Sequence, residues 1–205
     1  MLIGNAIVHR TFIAGLVILL AILGGCSLFE PREPEAPTQS SANFVPPTEP
    51  RIVVSNLQNA IAEKNLENYM SCFADPARVQ RGFGFVPAPT ALSAYPRLQG
   101  SWTYTDERNY FQELIIQGLS PGFSGLILTL RSSSVSSDSV IYNFDYTFTF
   151  ETKPQHNFAS TALGNLQFTI GVDNNNLWSI YYWVDNDLGG TNDITWSEFK
   201  GKFAR

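Results

Sequence analysis

The chain has 205 residues and carries 13 Lys and Arg against 18 Asp and Glu, a formal net charge of −5. That length suits one ordinary domain rather than several. The basic residues form no stripe, which speaks against nucleic acid as a partner.

At the start of the chain an apolar stretch over residues 11–22 follows a free amino terminus, His9 and Arg10, with no acidic residue among them. This is the short positive flank and apolar core of a secretory signal, and at 12 residues the core is shorter than the ~20 a spanning helix needs. It ends in Leu23-Gly24-Gly25-Cys26. Small residues before a cysteine at that spot resemble the lipobox of bacterial lipoprotein precursors. The resemblance implies a diacylglyceryl group on the Cys26 thiol, removal of residues 1–25 as a signal peptide, and palmitate-type acyl chains at the new terminus. One acyl chain binds a bilayer weakly and two or three hold firmly. By the sorting rule of enteric bacteria, Ser27 rather than Asp after the cysteine implies the outer membrane, facing the periplasm. The mature chain loses only Arg10 among its charges, which leaves 12 basic residues against 18 acidic and a formal charge of −6.

Residues 27–50 hold six of the twelve prolines, four glutamates and one arginine. Such a composition buries too little apolar surface to offset ordering entropy, so residues 26–50 are expected to form a lipidated cysteine and a disordered, proline-rich tether. Docking of Phe44 and Val45 on the domain is the lesser alternative. Residues 51–205 are expected to fold.

Between residues 52 and 73 the apolar positions Val53, Val54, Leu57, Ala60, Ile61, Leu66, Tyr69, Met70 and Phe73 have helical spacing, interrupted at Lys64-Asn65. Cys72 lies in this pattern and has no intramolecular partner once Cys26 is acylated, so it reads as a small core residue. Residues 77–96 are rich in Pro and Gly and read as loop, with at most a short strand over 83–86. A helix is expected over 106–117, with Asp106 and Glu107 at its positive end, Tyr110, Phe111, Leu114 and Ile115 sharing a face, and Gly118 closing it in the left-handed conformation.

Beyond Pro121 the period changes to two, and four runs rich in β-branched and aromatic residues, over 123–131, 140–152, 158–172 and 177–185, read as an antiparallel meander. Tyr142, Phe144, Tyr146, Phe148 and Phe150 point one way and Asn143, Asp145, Thr147, Thr149 and Glu151 the other. In the last run both alternating sets are apolar, so both faces look buried or interfacial. Thr195-Trp196-Ser197-Glu198 has the form of a capping box, with Ile194 and Phe199 placed as a hydrophobic staple and Phe199 and Phe203 as an i, i+4 pair. The fold class is therefore α+β, N-terminal helices packed on a curved antiparallel sheet.

Asn56-Leu57, Ala60-Ile61, Asn65 and residues 69–73 at the start, with Trp178, residues 183–185 and 196–200 at the end, resemble the nuclear transport factor 2-like (SnoaL-like) superfamily, and in particular uncharacterised bacterial lipoproteins that carry such a domain behind a proline-rich tether. The resemblance implies a cone-shaped fold; its enzymes place an Asp or His base and a Tyr acid inside an apolar cone. Against that pattern His156 reads as a solvated turn residue, Asp145 faces away from the aromatic side of its strand, and Asp185, with Asp187 and Asp193, reads as a solvated acidic turn whose spacing matches no calcium loop. Asp145 and Asp185 are the weak catalytic candidates. No cofactor or metal site is expected: the sequence has no nucleotide-binding glycine loop, nucleophile elbow or zinc-ligand spacing. The aromatic interior is either a filled core or a cavity for a small apolar ligand such as a lipid, edged by Trp102, Tyr104, Tyr110, Tyr142 and Tyr146. Three readings of function follow: a non-catalytic, lipid-anchored envelope protein that binds a partner protein or small apolar ligand; an isomerase or dehydratase-type enzyme using a carboxylate in the cone; and a structural homodimer. In each, the membrane is a partner through the acyl chains on Cys26.

Overall fold

The computed structural model describes residues 43–189 and 193–204. Cys26, the signal segment and most of the proposed tether lie outside the described residues. Helix α1 (Pro50–Ala62) has proline at its first turn and buries Val53, Val54, Leu57, Ala60 and Ile61. The interruption expected at Lys64-Asn65 is a sharp turn: Lys64 has φ of 53°, and the Asn65 side chain accepts the Asn68 N–H at 3.1 Å to cap α2 (Leu66–Met70).

A three-residue strand, β1 (Gly84–Val86), stands where a short strand was expected. The rest of that Pro-rich region is not plain loop: α3 (Pro89–Ala94) and a 3₁₀ turn (Pro96–Gln99) each start at a proline. Six and four residues are too few for a period to show, and a proline that reads as a breaker also fits the first helical position. Helix α4 (Tyr104–Gln117) begins two residues before the expected start because Thr103 and Asp106 form a reciprocal capping box. Gly118 is extended, not left-handed, with φ of −62°. Its lack of a side chain is needed for proximity instead, since a Cβ there would sit 2.9 Å from the Phe150 ring.

Strands β2 (Ser124–Val135), β3 (Ser139–Phe150), β4 (Thr161–Val172) and β5 (Trp178–Asn186) form the meander. With β1 they make one curved sheet in the order β1-β5-β4-β3-β2. The sheet is mixed rather than purely antiparallel, because β1 runs parallel to β5 and places Phe85 beside Trp183. Two further segments satisfy the β5 edge: the Trp178 N–H donates to the Pro47 carbonyl at 2.8 Å, and Ile180 exchanges bonds with the residues flanking Phe73. The double apolar pattern of β5 also has a local cause. The β4–β5 register slips between Thr169 and Ile170, so Tyr181 is an extra residue, and Ile180 and Trp183 are both fully buried despite their odd spacing. A bulge resets the alternation, and what reads as two apolar faces is one face interrupted.

Helix α5 (Trp196–Phe203) lies near α4 and β4, with Trp196, Phe199, Lys200 and Phe203 buried. The expected capping box is absent in its threonine half: the Thr195 hydroxyl is buried without a partner. The Phe199–Phe203 ring pair is present, with centroids 6.1 Å apart. Residues 43–49 belong to the domain rather than to a disordered tether. The Asn56 side chain accepts the Val45 N–H at 3.0 Å and donates to the Val45 carbonyl at 2.7 Å, a two-bond match that mimics strand pairing.

Candidate functional site

The inner face of the sheet carries Tyr146 and Phe148 from β3, Leu166 and Phe168 from β4, and Trp183 and Asp185 from β5, all buried. Asp185 follows Trp183 by two residues and so shares its face. It is fully buried, a correction to the solvated acidic turn expected of it. Its carboxylate accepts the Tyr146 hydroxyl at 2.9 Å, the Ser197 N–H at 2.7 Å and the Ser197 hydroxyl at 2.5 Å. Tyr146 in turn accepts the Trp196 N–H at 2.7 Å. Two amides of the first turn of α5 are thus satisfied by side chains from the sheet, and a carboxylate at a helix N-terminus is favoured by the helix dipole. Burial pushes the Asp185 carboxyl up to about 6, against the lowering by its hydrogen-bond donors.

A second buried cluster sits between α4 and α5. Glu107 points inward and accepts the Tyr69 hydroxyl at 2.5 Å, the Trp102 indole N–H at 2.7 Å and the Lys200 ammonium. Glu107 and Lys200 are each fully buried. The ammonium is boxed by rings: Trp183 at 4.0 Å, Phe85 at 4.4 Å, Tyr110 at 4.9 Å and Trp102 at 5.3 Å. A carboxylate with three donors and an ammonium among aromatic faces are what a charge pair requires to survive removal from water. Burial pulls Lys200 down to about 8, with Glu107 opposing the shift. The tyrosines are held neutral: burial, then the Glu107 charge, raises Tyr69 and Tyr110, and burial followed by Asp185 raises Tyr146. Trp196 links the clusters, its indole donating to the Tyr110 hydroxyl at 2.9 Å while its ring stacks on Phe148 at 4.2 Å.

The expected site residues divide accordingly. Trp102, Tyr110, Tyr146 and Asp185 come together in the interior. Tyr104 and Tyr142 are only half buried, and the Tyr104 hydroxyl donates to the Met70 carbonyl at 3.4 Å. Asp145 is on the opposite face, paired with Arg131, whose hydrogen bond holds its carboxyl below the usual range. His156 is not simply a solvated turn residue, since it is half buried, 2.7 Å from the Gln117 side chain and in ring contact with Phe203. Cys72 is buried, its thiol donating to the Asn68 carbonyl at 3.3 Å, and burial raises its pKa strongly. Three central residues were not foreseen in these roles: Glu107, read as a helix-dipole residue, and Lys200 and Ser197, read as parts of the last helix. Hollows of about 380 and 230 Å³ lie at the surface, around Arg81 and Tyr181 and around Phe44 and Trp178. Glu107, Asp185 and Lys200 line neither.

The sequence matches no protein-family model. No curated protein matches it either. The fold has counterparts among solved structures. A candidate aromatic ring hydroxylase from Novosphingobium aromaticivorans superposes with a TM-score of 0.53 at 8% identity, over 72% of this chain and 92% of that one. A nuclear transport factor 2-like superfamily protein from Salmonella enterica serovar Typhimurium gives 0.51 at 12%, over 68% and 89%. A candidate dehydratase of the same family from Streptomyces avermitilis gives 0.51 at 10%, over 68% and 94%. At such identities the likeness is one of architecture, and the conclusion it carries is that the folded part of this chain has the α+β fold of the nuclear transport factor 2-like proteins.

Proposed function

We propose that this protein is a lipid-anchored component of the bacterial cell envelope, probing its surroundings with the outside of its domain rather than converting a substrate inside it. The observation that carries the non-catalytic part is the placement of Lys200. The aromatic interior is occupied there by the chain's own ammonium, neutralised by Glu107 and enclosed by four aromatic rings. Evicting it would expose a buried charge and cost several kcal/mol before any substrate entered. The anchoring part rests on the run ending at Cys26 and the apolar segment ahead of it.

A second reading has its own support. Asp185 is a buried carboxylate beside Tyr146 with a raised pKa, the pairing that proton abstraction next to a carbonyl requires, and one neighbour in fold is named as a candidate dehydratase. The two readings separate in one experiment. Purified protein is incubated with cyclic ketones in deuterated buffer, and exchange at the carbon next to the carbonyl is followed by NMR. The interaction reading expects no exchange above buffer. Exchange that disappears in Asp185→Asn would establish the enzyme instead. Intact-mass measurement on protein from native membranes tests the anchor, with a diacylated or triacylated chain beginning at Cys26 expected.

A further inference from the structure

The end of α4, the loop that follows it and the start of β2 expose several large apolar side chains. Ile116 is 52% exposed, Leu119 38%, Phe123 62% and, just beyond on β2, Ile127 67%. Four large apolar side chains within twelve positions amount to a patch rather than scattered exposure. The patch is held in shape from beneath. The Lys64 ammonium donates to the Leu119 carbonyl at 2.9 Å and the Gly122 carbonyl at 2.7 Å, the Lys153 ammonium to the Ile116 carbonyl at 2.7 Å, and the Phe123 N–H to the Glu151 carboxylate at 3.0 Å. A loop whose carbonyls are tied to the domain while its apolar side chains point to solvent is presented, not merely loose.

The place where the chain enters the domain says what covers it. The Asn43 carbonyl accepts from the Asn59 side chain at 3.1 Å, and the Asn43 side chain donates to Glu63. Asn43 therefore sits at the C-terminal end of α1, next to Lys64 and so next to the patch. Cys26 precedes it by seventeen residues, which span at most about 60 Å fully extended. An acylated Cys26 would keep this end of the domain within that reach of the bilayer. The β2–β3 turn lies at the other end of the twelve-residue strand β2, roughly 40 Å along it. Glu63 and Glu151 offset the two lysines, so apolar insertion rather than charge attraction is the fitting interaction.

We infer that Ile116, Leu119, Phe123 and Ile127 form a membrane-contact tip that seats the domain on the phospholipid surface beside its anchor. This rests on the lipid-anchored reading above, and the test separates the two. An environment-sensitive nitrobenzoxadiazole probe is attached at Leu119→Cys, and separately at Ser136→Cys in the β2–β3 turn, in the full-length protein purified from membranes; buried Cys72 and acylated Cys26 do not compete for label. Each is reconstituted into phosphatidylethanolamine/phosphatidylglycerol vesicles. The probe at 119 is expected to blue-shift and brighten on reconstitution, the probe at 136 to remain as in water, and Phe123→Asp to reduce the seated fraction roughly tenfold, the worth of one buried aromatic side chain. A water-like probe at 119 on protein shown by mass to be acylated overturns the tip and leaves the anchor standing. Absence of acyl mass overturns the anchor and the tip with it. A blue shift that rises with protein concentration without vesicles marks a second copy as the occupant and also overturns the tip.

Discussion

Glu107 and Lys200 form a fully buried ion pair, and the energetics of such pairs are lopsided. Replacing both partners by neutral groups can cost little, whereas removing one leaves the other stranded at a cost of about 3–5 kcal/mol. Lys200→Met is therefore expected to lower the unfolding free energy by about that amount, and Lys200→Met with Glu107→Gln to recover most of it, measured by urea denaturation as a double-mutant cycle. Additive losses would mean that the two side chains are not coupled. Asp185 supplies a prediction in pH. Its folded-state pKa of about 6 lies above its ordinary value of 3.8, so its contribution to stability is fully present below about 4 and is lost as pH rises through 6. Lys200 is the mirror case, its contribution present above about 10.5 and lost as pH falls through 8. As pH is lowered from 7 to 4, wild type should gain stability relative to Asp185→Asn, by at most about 1.4 kcal/mol per pH unit for one proton. A relative loss would mean that the donors around Asp185 outweigh its burial. The signal for the ion pair was present in the sequence, though in two places. Glu107 stands three and four positions before Tyr110 and Phe111, and Lys200 four after Trp196 and three before Phe203. Each is a charge on the apolar stripe of its helix, and only their opposite signs on two distant helices suggest that they meet.

At the level of elements, α5 is held by the sheet as much as by its own residues. Its Thr-x-x-Glu pattern predicts a self-contained start, yet its first amides go to Tyr146 and Asp185 while the threonine hydroxyl makes no bond. Local pattern cannot register this outcome, because the competing acceptors lie twelve and fifty residues away in sequence. The same limit explains the parallel strand β1, whose three residues carry no period, and the bulge at Tyr181, which splits one face of β5 into two apparent ones. What was legible was whatever repeats along the chain: the stripe of α1, the face of α4 and the alternation of β3. The arrangement also makes a demand at Gly164 of β4. A Cβ there would lie 2.5 Å from the Tyr146 hydroxyl and 2.6 Å from the Asn186 carbonyl. Gly164→Ala is expected to push Tyr146 off Asp185 and the Trp196 N–H together, costing about 1–3 kcal/mol as overpacking with a larger share from the broken bonds. Thermal unfolding should show the loss, and near-ultraviolet circular dichroism a changed Trp196 environment. A variant as stable as wild type with unchanged spectrum would show that the sheet does not cap this helix.

For the molecule as a whole, composition misplaces the domain's edge. Six prolines and four glutamates in residues 27–50 read as uniformly unfoldable, but the last seven residues before α1 are not like the rest. Val45 is bonded at both backbone groups by the buried Asn56 side chain, Phe44 packs against the core, and the Pro47 carbonyl receives the Trp178 N–H that would otherwise face solvent at the β5 edge. Prolines suit this task, since an edge segment that needs only to accept loses nothing by lacking N–H groups. These contacts close the side of the sheet that β1 and the residues around Phe73 leave uncovered beyond Ile180, so the domain is complete only with them. A chain beginning at Pro50 is therefore expected to fold but to be less stable than one beginning at Ser41, by about 2–4 kcal/mol for one stranded buried amide side chain and the lost backbone bond. Asn56→Leu should cost much less in the shorter chain than in the longer one, because its bonding partner is already gone. Urea midpoints on the four proteins decide it: equal stability of the two lengths, or an equal effect of the substitution in both, would place the boundary of the folded unit at α1 and return residues 43–49 to the tether.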